Sequence, residues 1–131
     1  MIIRTPRSSD EVAAQADVAC AAFGPAALNE PWRDRYRVVE QRFGRDAFLL
    51  VEEEGHFVSS CTCLPAQVWV GDRRLTLGAV GGVATPPEYR RRGYAGALMC
   101  AVVRRMQELG LATSALWPFS FPYYRKFGWD F

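Results

Sequence analysis

The sequence predicts an α/β fold of the α+β kind: a mixed, mostly antiparallel twisted sheet flanked by helices. Three observations carry that prediction. Between positions 47 and 85, apolar and β-branched runs alternate with turn residues, the pattern of a meander of antiparallel strands. Amphipathic segments at helical spacing precede this stretch, and a longer one follows it to position 109. Another apolar run, residues 112–117, comes after that helix; a strand–helix–strand crossover makes its two strands parallel neighbours. The 131 residues, half of them apolar, suffice for one hydrophobic core, and no linker, repeat or low-complexity tract divides them. One domain over residues 1–131 is therefore expected.

Met1-Ile-Ile-Arg4 reads as a short strand. Ser8-x-x-Glu11 is a capping box, opening a helix whose Val12, Ala16, Ala19, Cys20 and Phe23 share a face and which Gly24-Pro25 stops. Pro31 suits a first helical position; Trp32, Tyr36, Val39 and Phe43 follow at helical spacing, and Gly44 ends the run. Val39 and Phe43 read as core, whereas Trp32 and Tyr36, nearer a loop, are candidates to line a pocket. Residues 47–51 form a buried strand, and Glu54-Gly55 turns into a run from His56 to Cys63. Pro65 is expected to interrupt that run before Val68-Trp-Val70 resumes it. Gly71-Asp72 fits a two-residue hairpin turn. Leu75-Thr-Leu77 then leads into Gly78-Ala-Val-Gly-Gly-Val-Ala-Thr85, an uncharged buried strand that Pro86-Pro87 ends.

The chain is organised around the stretch beyond those prolines: Arg90-Arg-Arg-Gly93-Tyr-Ala-Gly96, then Ala95, Leu98, Met99, Val102, Met106 and Leu109 on one helical face. Strand, basic glycine-bearing turn and helix N-terminus make a phosphate cradle. Unpaired N–H groups and the positive end of the helix dipole face an anion, and glycine lets the backbone come close. The P-loop signature needs a lysine this turn lacks, and the dinucleotide signature G-x-G-x-x-G is absent. Arg-x-x-Gly-x-Ala, read from Arg90 to Ala95, instead resembles the acyl-CoA-binding motif of the GNAT superfamily of N-acyltransferases. A solvated basic turn capping an ordinary helix is the alternative.

The tail adds a second stretch. Tyr123-Tyr-Arg-Lys-Phe127-Gly128 reads as a short helix ended by Gly128, with Trp129 starting another strand. Residues 79–96 and 115–129 together resemble the first domain of the enhanced-intracellular-survival-type acetyltransferases, longer chains with a second acetyltransferase-like domain and a sterol-carrier-like domain.

The resemblance implies a GNAT-type sheet, here cut short after its fifth to sixth core strand. It implies an N-acetyltransferase moving an acetyl group from acetyl-CoA to a primary amine, with no metal. Backbone groups of Val83, Ala84 and Thr85 would contact the acetyl-pantetheine arm, and Arg90, Arg91, Arg92, Gly93, Tyr94, Ala95 and Gly96 would hold the pyrophosphate. Phe119 and Ser120 correspond in position to further cofactor contacts. Tyr124 takes the place of the tyrosine that protonates the leaving thiolate. A phenol of ordinary pKa about 10 has a proton to give, and a ring packed in the core is the alternative for it. The strand of residues 78–85 carries no Asp or Glu, and Glu88 reads as a surface charge, so no base is assigned. An acetyl-CoA-binding regulatory domain without turnover is the competing reading.

The remaining composition bounds partners and compartment. A net charge of +2 does not argue for nucleic acid, and no run reaches transmembrane length. The four cysteines, Cys20, Cys61, Cys63 and Cys100, follow no apolar signal segment and read as free thiols of a cytoplasmic protein. Zinc would need ligands beyond Cys61-x-Cys63, and the only histidine, His56, is not suitably placed. An open sheet edge implies a homo-oligomer or pairing with a further C-terminal segment.

Overall fold

In the computed structural model, residues 1–24 and 31–130 are described. The part of the helix stop assigned to Pro25 lies outside them. Five strands form one sheet in the order β1 (Ile2–Arg4), β2 (Phe48–Glu53), β3 (His56–Val70), β4 (Arg73–Ala84) and β5 (Ser114–Leu116). The first four are antiparallel neighbours, and β5 runs parallel to β4, as the crossover requires. Helices α1 (Ser9–Phe23) and α2 (Trp32–Phe43) pack on one side, and α3 (Tyr94–Glu108) and α4 (Phe121–Arg125) on the other.

Strand alternation sorts the core accordingly. Phe48 joins Val12, Ala16, Ala19, Tyr36 and Ala84 on the α1–α2 side. Leu49 and Val51 join Cys61, Cys63, Leu98, Met99, Val102 and Met106 on the α3 side. The Ser8 cap forms, its hydroxyl accepting from the Glu11 N–H at 3.3 Å. The Glu11 carboxylate does not close the box back onto Ser8. It accepts from the Arg7 N–H at 2.7 Å and from Arg4 at 2.6 and 3.0 Å, tying β1 to α1.

Several boundaries differ from expectation. Pro65 does not interrupt β3, because β2 stops pairing at Phe48–Thr62 and Pro65 faces only β4, opposite Gly78. A strand with one open side tolerates the missing donor. On α1, Cys20 is only half-buried and Phe23 is 48% exposed; Gln15 and Val18 take their places in the core. Gln15 is admitted because its amide donates to the Leu49 and Cys61 carbonyls, at 3.2 and 3.0 Å. Leu109 is exposed and caps α3 from outside its last turn. Helix α4 begins at Phe121 instead of Tyr123, with Pro122 in a first turn that needs no donor. No strand forms at Trp129 among the described residues. Its N–H closes the end of α4 on the Tyr124 carbonyl (3.3 Å), and its indole donates to Ser114 Oγ (3.1 Å).

One irregularity positions the site. Ser60 pairs with Ala84 and Thr62 with Gly81, so Gly82 and Val83 together oppose Cys61. This is a β-bulge, and Gly82 takes the left-handed conformation it requires, φ 57°.

Candidate functional site

Beyond the bulge, β4 ends at Ala84, and Pro86 turns the chain into a single 3-10 turn, Pro87–Tyr89. Ser59 holds this end in place: its hydroxyl donates to the Ala84 carbonyl (2.9 Å) and lies 2.8 Å from Thr85 Oγ1. The three arginines then divide. Arg90 donates to the Thr85 carbonyl (3.0 Å) and the Ala22 carbonyl (2.8 Å), bolting the turn to the end of α1. Arg91, exposed, takes a left-handed φ of 64°, a conformation that costs a non-glycine residue about 1–2 kcal/mol. Arg92 lies over the Tyr89 ring at 5.8 Å. Gly93, φ 85°, opens α3 without a side-chain cap, and the first turn carries no acidic residue. The first intrahelical bond runs from Ala97 N to Gly93 O, so the N–H groups of Tyr94, Ala95 and Gly96 lack intrahelical acceptors.

A cavity of about 570 Å³ joins these pieces. Val83 and Thr85 enter from the end of β4, Arg90 and Arg91 from the turn, and Gly93, Tyr94, Ala95 and Gly96 from α3, with Phe119 opposite. Of the residues predicted from the sequence, Ala84, Arg92, Ser120 and Tyr124 do not line it. Ala84 is buried under Ser59, and Ser120 precedes α4 and accepts from the Tyr123 and Tyr124 amides. Ala22, Phe23, Tyr89 and Tyr123 line the cavity without having been anticipated. For Phe23 the signal was available: a large apolar residue at the exposed end of a helix, beside a glycine stop, has no core to join.

Two adjacent phenols face opposite ways. Tyr123 lines the cofactor-sized cavity, and its buried hydroxyl has no partner among the described residues; burial pushes its pKa up. Tyr124 is 3% exposed and opens onto a second cavity, also about 570 Å³, between β5, residues 117–118, α4 and Trp129. Its ring meets Phe119 edge-on at 5.3 Å and Tyr123 at 5.2 Å. Burial, then the neighbouring Tyr123 and Cys61, push the Tyr124 pKa up to about 12. The site thus pairs an apolar slot with an uncapped, cation-flanked helix terminus, an arrangement suited to a ligand that is apolar at one end and anionic at the other. Among the described residues no cluster of His, Cys, Asp and Glu could hold a metal ion, and no helix is long and apolar enough to cross a membrane.

Comparison with curated proteins finds no match. Solved structures do match. A probable N-acyltransferase of unknown function from Enterococcus faecalis superposes with a TM-score of 0.79 at 25% identity, over 98% of this chain and 32% of the other. Eis1 from Mycobacterium abscessus gives 0.79 at 20% identity, over 98% and 31%. The chain thus spans about a third of the length of these two proteins. A GNAT family acetyltransferase from Brucella melitensis, solved in complex with acetyl-CoA, gives 0.77 at 24% identity, over 98% and 82%. The model of the acetyltransferase (GNAT) domain matches residues 3–131, and with nearly the whole sequence inside that match, this chain belongs to the GNAT acetyltransferase family.

Proposed function

We propose that this chain binds acetyl-CoA along the end of β4 and the start of α3 and transfers its acetyl group to a primary amine. The observation that carries the reading is the cavity in which Val83, Thr85, Arg91 and residues 93–96 meet. The free N–H groups of Tyr94, Ala95 and Gly96, with Arg91 beside them, suit a pyrophosphate, and the absence of a first-turn carboxylate in α3 leaves nothing there to repel it. The apolar slot past Val83 suits the pantetheine arm. Arg90 serves as a brace and Arg92 stands outside the contact. Family membership and the Brucella protein's complex with acetyl-CoA support this choice of donor. The four free thiols suit a reducing compartment, and we place the chain in the cytoplasm.

In the transfer, the neutral amine nitrogen attacks the thioester carbonyl carbon, the carbon–sulfur bond breaks, the nitrogen gives up one proton to solvent and the thiolate takes a proton. Tyr124 supplies that proton. Burial keeps its phenol protonated at neutral pH, and although Tyr124 lines the neighbouring cavity, its ring meets edge-on those of Phe119 and Tyr123, which line the acetyl-CoA cavity. The test is thiol release from acetyl-CoA in the presence of a panel of primary amines, with wild type and Tyr124→Phe compared. Loss of a general acid lowers the rate by about 10²–10⁴-fold, while acetyl-CoA affinity should stay unchanged. An unaffected kcat would remove Tyr124 from the mechanism. No carboxylate lines the cavity among the described residues, which favours a second reading, a domain that binds acetyl-CoA without turnover. Binding with no acetylation of any amine would select it.

A further inference from the structure

Two hydroxyls meet where β4 runs into the turn, and their protons can satisfy both contacts in only one way. Ser59 is fully buried, and its Oγ lies 2.9 Å from the Ala84 carbonyl and 2.8 Å from Thr85 Oγ1. A carbonyl oxygen can only accept, so the single Ser59 proton goes to Ala84. The proton in the other contact is then that of Thr85, donated to Ser59 Oγ. The reverse assignment would leave two acceptors facing each other at 2.9 Å in a buried place, which is costly.

Thr85 lines the cavity together with Val83, Arg91 and the first turn of α3. With its proton committed to Ser59, Thr85 Oγ1 has only lone pairs left for a ligand. Its position is fixed: β-branching limits χ1, the following Pro86 keeps the backbone of Thr85 extended, and Ser59 anchors the hydroxyl. The main-chain acceptors around it are already engaged. Ala84 O takes the Ser59 proton, and Thr85 O takes the Arg90 Nε–H at 3.0 Å. Thr85 Oγ1 is therefore a pre-set acceptor for an N–H donor.

We propose that Thr85 Oγ1 accepts a hydrogen bond from an amide N–H of the pantetheine arm of acetyl-CoA, and so selects a ligand that carries an amide there. This rests on the acetyl-CoA reading above: with the pyrophosphate at residues 94–96 and the arm in the slot beside Val83, the arm runs alongside Thr85 in the same cavity. The amides are the only N–H groups of the arm, and an N–H drawn into an apolar slot needs an acceptor. No proton of this contact moves in the transfer. Thr85 is then a specificity-determining residue, distinct from Tyr124, whose proton goes to sulfur.

The experiment is calorimetric titration of wild type, Thr85→Val and Thr85→Ser with three kinds of ligand: acetyl-CoA, analogues of it in which one or the other arm amide is replaced by an ester, and phospho-ADP, the nucleotide half of CoA, which lacks the arm. Thr85→Val keeps the side-chain shape without the oxygen. It should weaken acetyl-CoA by about three- to tenfold, the range for one hydrogen bond between neutral groups, and keep phospho-ADP within about twofold. Thr85→Ser keeps the oxygen and should stay within about twofold of wild type for both. Wild type should lose about three- to tenfold with one of the ester analogues, and Thr85→Val should bind that analogue as well as it binds acetyl-CoA. A mere shift of the strand end would weaken both ligands and preserve the wild-type preference for the amide. Unchanged acetyl-CoA affinity in Thr85→Val, or the full amide preference retained in it, overturns the proposal while leaving the cofactor site standing. Equal binding of amide and ester ligands by wild type overturns it without need of any variant. Failure of wild type to bind acetyl-CoA overturns the cofactor site and this contact together.

Discussion

Replacing Gly82 with alanine should destabilise the protein, and the size and origin of the loss can be worked from two features. The backbone at Gly82 has φ 57°, which costs an L-residue about 1–2 kcal/mol. The new methyl would stand 2.5 Å from Tyr36 Oη, and the ring behind that oxygen is held by Trp32 and Phe48 and cannot retreat. Overpacking of that kind costs about 1–3 kcal/mol. The total for Gly82→Ala is then about 2–5 kcal/mol. The two parts can be separated. The next nearest atom to the added methyl is Tyr36 Cζ at 3.6 Å, an ordinary contact, so in a Tyr36→Phe background the clash disappears and only the conformational cost stays. Urea denaturation of wild type, both single variants and the double variant gives the coupling between the positions. It should be about 1–3 kcal/mol, with the double variant more stable than Gly82→Ala alone. Additive single effects would refute the reasoning, because they would mean that the hydroxyl does not stand over Gly82.

Two further outcomes rest on named contacts. Arg91→Ala should weaken acetyl-CoA binding by about tenfold or more, from loss of about 1.5–3 kcal/mol of charge-assisted contact, whereas Arg92→Ala, whose side chain lies over Tyr89, should change it by less; equal effects in calorimetry would contradict the assignment of Arg91 to the phosphates. The Glu11 carboxyl is held down at about 2, first by its hydrogen bonds from Arg4 and then by the Arg7 N–H. A depressed folded-state pKa contributes stability that is whole above the ordinary carboxylate range and is lost as pH falls toward 2. With solvent screening at this partly exposed pair, about 1–2 kcal/mol should be lost in wild type between pH 6 and pH 3 and not in Glu11→Gln, measured by urea denaturation. Parallel pH profiles would contradict it.

The sequence was most legible where a local rule and the tertiary structure agree. The apolar spacing of Leu98, Met99, Val102 and Met106 marked the buried face of α3, and Pro86-Pro87 marked the end of β4. Parallel pairing of β4 with β5 followed from the helix between them. Legibility failed where the answer depends on a distant neighbour. Pro65 is harmless only because β2 is too short to reach it. Gln15 belongs in the core only because two strand carbonyls, 34 and 46 residues away, accept its amide protons. At the candidate site, the turn after β4 and the helix start at Gly93 were readable, but the different contacts of the three arginines were not. Arg90 is a brace because α1 happens to end beside it, with the Ala22 carbonyl in reach. Which of two consecutive tyrosines faces which cavity depends on the start of α4, which the local pattern puts at Tyr123 and the structure at Phe121. The bulge at Gly82 left only a paired glycine as its trace in the sequence.

The central claim is that the end of β4 and the first turn of α3 form one binding site for acetyl-CoA. Hydrogen–deuterium exchange with and without saturating acetyl-CoA tests it most directly, because the N–H groups assigned to the phosphates have no intrahelical acceptors of their own. The expected result is slowed exchange in peptides covering residues 83–85 and 93–97, with the hairpin tip at Gly71 and Asp72 unchanged. Unchanged exchange across residues 83–97 at saturating acetyl-CoA, or protection confined to another part of the sheet, would contradict the claim.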